Sequence, residues 1–100
     1  MTETKELEKR VIRGVKFLDE HYPGWLQEID VDRLNLEHYS NCVLGQLYGD
    51  FGDGMYDLEL SEEDIEFFGF FIPRHDPTVF KQAYERLTLA WKDMLNDLKQ

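Results

Sequence analysis

Carboxylates are the residues of this chain whose number and spacing invite chemistry, and they gather in its middle. Asp50, Asp53, Asp57 and Glu59 follow one another across and beyond the glycine-rich stretch Gly49-Asp50-Phe51-Gly52-Asp53-Gly54. Oxygen ligands bunched on a turn are what a calcium ion takes. The EF-hand spacing fails, however. With Gly54 at the invariant glycine, Gly49 and Phe51 fall where ligands belong and Leu60 where the bidentate Glu belongs. A turn with solvated aspartates explains the stretch more simply. An irregular calcium site, or a metal-dependent enzyme using loop 50–59 and His38, stands as the alternative.

His38 and Cys42 are four apart and could share a helix face. Zinc needs four ligands, or three and a water, so His21 and His75 would have to converge on them from distant segments. A Cys-His nucleophile would also need an orienting third group and an oxyanion site, and neither is marked. Cys42 reads better as a small buried residue. Carboxylate pairs such as Glu28 with Asp30 and Asp32, or Glu62 with Glu66, serve acid–base catalysis only in unlike environments within one cleft. Helix capping and a solvated face account for most of them. The expectation is a protein that is not an enzyme and uses no cofactor or metal.

What capping does not explain is the charge balance. Residues 1–27 are neutral overall and residues 67–100 carry +1, whereas residues 28–66 carry −11, with Arg33 their one base. A surface of one sign steers oppositely charged partners. Direct binding to nucleic acid is not expected, because phosphate recognition rests on Lys and Arg. Dense carboxylates can instead occupy a site meant for phosphates. The candidate partner-binding residues are Asp50, Asp53, Asp57, Glu59, Glu62, Glu63 and Glu66. Glu59, Glu62, Glu63 and Glu66 form a connected row if their helix reaches back to Glu59. The rival reading is plain solubility. A basic stripe of Lys5, Lys9, Arg13 and Lys16 could answer the acids within one molecule or across a homodimer.

Two long helices must frame this acidic middle. Leu7, Val11, Gly14, Val15, Leu18 and Tyr22 repeat on one face and predict a helix over residues 4–21. Gly14 lies inside that stripe, where close approach of a neighbouring element would justify it. Pro23 and Gly24 break the helix, and Trp25 is expected to fold back onto the core. Residues 25–39 favour short helical turns, with Asp30 or Asp32 as a cap. Ser40 or Asn41 is the expected cap of a helix through Val43, Leu44, Leu47, Tyr48 and Phe51, with Gly45 and Gly49 on one face. Residues 50–54 would end that helix and turn the chain, and residues 55–58 would add a short helical segment. Ser61-Glu62-Glu63-Asp64 is a capped helix start with carboxylates at the positive end of the dipole. Gly69 is its stop. Residues 70–73 form an apolar connector. Asp76-Pro77 starts a final helix over 77–98, with Phe80, Ala83, Tyr84, Leu87, Trp91, Met94, Leu95 and Leu98 on its apolar face.

One hundred residues, 42% hydrophobic and 14% aromatic, suit one compact all-α domain of about five helices spanning 1–100. A lone cysteine leaves no internal disulfide. The charged N-terminus lacks a signal-peptide core, and no apolar run approaches the ~20 residues of a membrane span. A cytoplasmic protein, monomeric or homodimeric, with no membrane partner is expected.

Several strings resemble small proteins of bacteriophages, prophages and actinobacterial or other Gram-positive genomes. They are Gly14-Val15-Lys16-Phe17-Leu18-Asp19-Glu20, Pro23-Gly24-Trp25, Ile29-Asp30-Val31-Asp32-Arg33-Leu34-Asn35-Leu36, Cys42-Val43-Leu44-Gly45-Gln46-Leu47-Tyr48-Gly49-Asp50 and Leu60-Ser61-Glu62-Glu63-Asp64. A Tyr-x-x-Leu-Thr-x-x-Trp pattern at Tyr84, Leu87, Thr88 and Trp91 completes the likeness. The resemblance implies a phage or mobile-element setting in a bacterial cytoplasm, and it assigns no catalytic or ligand residue. The expected role is binding a basic partner, such as a host nucleic-acid-binding or defence protein inhibited by charge mimicry. A structural or assembly component that self-associates is the other alternative.

Overall fold

A computed structural model describes the backbone of residues 2–73 and 77–100, and side chains over 5–73 and 81–100. The amphipathic stripe of the first segment becomes α1 (Thr2–His21), and the last becomes α6 (Pro77–Leu98). Between them lie α2 (Trp25–Glu28), a 3-10 turn (Val31–Arg33), α3 (Val43–Tyr48), α4 (Phe51–Asp57) and α5 (Glu62–Phe67). Helix α1 packs on α6 and α5, α3 packs on α4 and α2, and the 3-10 turn rests on α6. The radius of gyration, 12.4 Å, matches the ~13 Å of a compact domain of this length. The described residues form an all-α single domain, and no helix among them is long and apolar enough to cross a membrane.

Trp91 occupies the centre of the core and is fully buried. Its indole stacks on Phe70, with centroids 5.8 Å apart, and meets Trp25 edge-on at 6.4 Å. Trp25 has folded back as its position after Pro23-Gly24 predicts, and its own Nε1–H donates to Asp19 at 2.9 Å. Leu18, Leu87 and Leu95 are likewise inaccessible, and burying each such side chain contributes about 1.5–3 kcal/mol. Gly14 has the close neighbour that its place in the stripe demands. A methyl group there would overlap the carbonyl oxygen of Phe68 and press on the Trp91 ring. The apolar connector is buried at Phe70 and Ile72, and the Ile72 N–H donates to the Tyr84 hydroxyl at 3.1 Å.

The middle of the chain departs from the sequence expectation around α3. Helix α3 begins at neither Ser40 nor Asn41, because both side chains are committed elsewhere: Ser40 Oγ to His38 Nδ1 and Asn41 Oδ1 to the Arg33 guanidinium. Cys42 takes the cap, its Sγ accepting from the Gly45 N–H at 3.2 Å. The helix then stops at Tyr48 rather than Phe51, because Gly49 adopts a left-handed φ of 91° that a side chain would resist. Gly45 and Gly49 consequently share no helical face. Asp50 starts a new helix, so residues 51–54, expected as a turn, are the first turn of α4. This break brings the α-helices among the described residues to six. Downstream, Ser61 and Asp64 form the reciprocal capping box of α5 as the sequence predicts. The expected Asp76 cap lies outside the described residues.

Side chains with long reach tie the irregular 29–41 segment to the frame. Gln46 accepts from the Asp30 N–H at 2.6 Å and donates to the carbonyls of Asp30 and Asn41, each at 3.1 Å. Thr88 of α6 accepts from the Leu36 N–H at 2.9 Å, and Lys99 donates to the Ile29 carbonyl at 2.7 Å. Asp30 caps the 3-10 turn through the Asp32 N–H. None of these partners is a sequence neighbour except Asp32, so they fix a segment whose own propensities are weak.

Candidate functional site

The seven candidate carboxylates all fall on α4, α5 and the turn joining them, but they do different work there. Asp50 is half-buried, and its Oδ1 accepts from the Gly52 N–H at 2.8 Å as the cap of α4. Asp53 and Asp57 are exposed one helical turn apart on α4. Glu59 is exposed in the connecting turn, with a left-handed φ of 56° rare for a residue bearing a side chain. Because α5 begins at Glu62, Glu59 lies outside that helix. The condition for a row of four, a helix reaching back to Glu59, is therefore not met, and only Glu62, Glu63 and Glu66 share α5. Glu62 and Glu63 stand exposed in the first turn of α5, where the helix dipole favours negative charge.

Glu66 differs from the others because α1 answers it. Arg10 places Nη2 3.5 Å from the Glu66 carboxylate and Nε 3.4 Å from that of Glu6. Arg13 lies over the Phe67 ring at 4.0 Å, donates from Nε to the Phe67 carbonyl at 2.9 Å, and reaches Glu6 at 3.7 Å. The α1 bases thus neutralise one end of the acidic block within the molecule, through Arg10 and Arg13. Lys5, Lys9 and Lys16 of the expected basic stripe are exposed and make no ion pair among the described residues. Asp53, Asp57, Glu59, Glu62 and Glu63 likewise have no cationic partner among the described residues.

Tyr56 completes this face, and the charge count gave no reason to look for it. It is 87% exposed, the most exposed of the large hydrophobic side chains described. Together with Gly52, Met55, Asp57, Glu59 and Leu60 it lines an open groove along α4 and the following turn. Below the groove, Gly54 packs against Leu44 and Tyr48, which seats α4 on α3. Burial, and secondarily the nearby Asp57 carboxylate, raises the Tyr48 phenol above its ordinary value. A sequence signal for Tyr56 does exist. It sits three residues after Asp53, on the same helical face, between Met55 and Asp57.

The residues singled out for metal or nucleophilic chemistry are occupied with structural tasks. His38 lies in the turns before α3, its Nδ1 3.0 Å from Ser40 Oγ and its ring stacked on Tyr39. His38 and Cys42 do not share a helix face, because residues 38–42 form turns and α3 begins only at Val43. Burial pushes the Cys42 thiol above its ordinary value, which is the opposite of activation. His21 packs its ring on Phe17 at the end of α1, and His75 lies outside the described residues. The Glu28 carboxylate, first as a hydrogen-bond acceptor, raises the Tyr22 phenol above its ordinary value. Among the described residues, no group of three His, Cys, Asp or Glu side chains is placed to hold a metal ion. Compared with known proteins, the chain matches no family model, no curated relative and no solved structure.

Proposed function

We propose that this chain is a small non-enzymatic binding protein whose α4–α5 face engages a basic protein partner. One observation carries the reading. Asp53, Asp57, Glu59, Glu62 and Glu63 are each exposed along α4, the following turn and the start of α5, and none forms an ion pair among the described residues, although α1 supplies two arginines to the adjoining Glu66 and Phe67. Like charges held side by side work against folding, so a face that keeps them unanswered is better suited to meeting opposite charge from outside. Its scaffold is fixed beforehand by the Asp50 and Ser61 caps and by Gly54 packed on α3, which lowers the ordering cost of association. The phage-like strings of the sequence suggest the setting: a host nucleic-acid-binding or defence protein, whose phosphate-binding site the carboxylates occupy by charge mimicry, in the bacterial cytoplasm.

The test is affinity capture from bacterial lysate with the immobilised chain, followed by elution with duplex DNA. Charge mimicry requires a captured basic protein that duplex DNA displaces and that a variant with Glu59, Glu62, Glu63 and Glu66 changed to Gln does not retain. The fold of that variant should survive, since the Arg10–Glu66 pair is partly exposed and worth no more than ~1 kcal/mol. Capture unaffected by the four changes removes this face from consideration. Capture that DNA cannot displace removes the mimicry.

A further inference from the structure

The groove beside Tyr56 has a chemistry more specific than negative charge. Met55, Gly52 and the buried Leu60 line it together with Tyr56, Asp57 and Glu59. Tyr56, Asp57 and Glu59 are each exposed. Flat aromatic surface beside paired carboxylates suits a guanidinium, which stacks through its plane while its fork of N–H groups reaches carboxylate oxygens. An ammonium of equal charge has no plane to stack and holds its water more tightly.

The molecule already uses this combination once. On the neighbouring α5 surface Arg13 lies over Phe67 while bonding a carbonyl and facing the Glu6 carboxylate. At Phe67 the arginine comes from α1 of the same chain. At Tyr56 no described residue supplies one, and the ring remains 87% exposed. Resting on the proposed acidic face, and narrowing it, we propose that the α4 groove is a docking site for an arginine-bearing segment of a basic protein. The guanidinium lies on Tyr56 between Asp57 and Glu59, and the apolar stem of the arginine covers Met55. The proposal therefore distinguishes arginine from lysine, which charge mimicry alone does not.

Titration of the intact chain with oligoarginine and oligolysine peptides of equal length tests this by calorimetry or fluorescence. Oligoarginine should bind about three- to tenfold more tightly than oligolysine. Tyr56→Ala should erase that preference, and Tyr56→Phe should preserve it. Because Tyr56 is so exposed, neither change should alter the unfolding midpoint, and Tyr56→Phe serves as the control if the alanine variant does. Equal affinity for the two peptides, or a preference that survives Tyr56→Ala, overturns the guanidinium site while leaving the acidic face standing. Failure of both peptides to bind overturns the groove and the acidic face together.

Discussion

The Trp91 indole donates its Nε1–H to the Gly69 carbonyl oxygen at 2.6 Å, joining the centre of α6 to the end of α5 across twenty-two residues of sequence. The bond lies in the interior, where an unsatisfied carbonyl is expensive. It holds the turn at Gly69 against α1, whose Gly14 leaves space for the Phe68 carbonyl and the same indole. Trp91→Phe keeps the stacking on Phe70 but deletes the donor and leaves a void. It should destabilise the fold by about 2–4 kcal/mol, read as a drop in the urea midpoint. A loss below about 1 kcal/mol would mean that the carbonyl finds another donor.

Asp50 belongs to the acidic face and to the scaffold, and the two roles can be separated. Asp50→Ala removes the oxygen that accepts from the Gly52 N–H and should cost about 1 kcal/mol. Asp50→Asn keeps an acceptor of similar capping strength and removes only the charge, so stability should stay within about 0.5 kcal/mol of the parent. If partner capture falls equally in both variants, the Asp50 charge contributes to the face. If it falls only with alanine, Asp50 acts through α4.

Cys42 and Tyr84 make stability fall at alkaline pH. Burial raises the Cys42 thiol above 9.0 and the Tyr84 phenol above 10.0, so folding favours both neutral forms. The unfolded chain then binds fewer protons than the folded one once pH exceeds those ordinary values. The associated stability is complete below them and is lost as pH rises through the raised, folded values. The urea midpoint should hold to about pH 9 and decline through pH 10. Cys42→Ser, whose hydroxyl can still cap the Gly45 N–H, should remove the first part of the decline. At neutral pH the thiol, 1% exposed, should react with a disulfide reagent only as the chain unfolds.

Glu59 holds a backbone conformation that costs a residue with a side chain about 1–2 kcal/mol. Glu59→Gly relieves that strain and adds unfolded-state freedom, so the net effect should be a gain of up to about 1 kcal/mol. Thermal unfolding would show this as a Tm increase of a few degrees. A decrease would mean that the Glu59 side chain itself holds the turn.

Local rules were enough to read the frame of this protein. The stripes of α1 and α6, the fold-back of Trp25, the Ser61–Asp64 box and the packing role of Gly14 each depend on residue spacing or on a single residue's sterics. The start and break of α3 were not readable, because Ser40 and Asn41 have good capping side chains. What disqualifies them is the bonding of Ser40 to His38, two residues before it, and of Asn41 to Arg33, which the folded turns bring near.

The same division applies to the surface. Sequence alone determined that residues 28–66 carry −11, since charge is a sum over residues and needs no geometry. Tertiary structure decided which of those charges are answered. Arg10 and Glu66 are fifty-six positions apart, and Arg13 reaches a carbonyl fifty-four positions away. Coulomb energy and stacking depend on distances of a few ångströms, so the exposure of Tyr56 beside Asp57 and Glu59 emerged only once α4 had packed on α3.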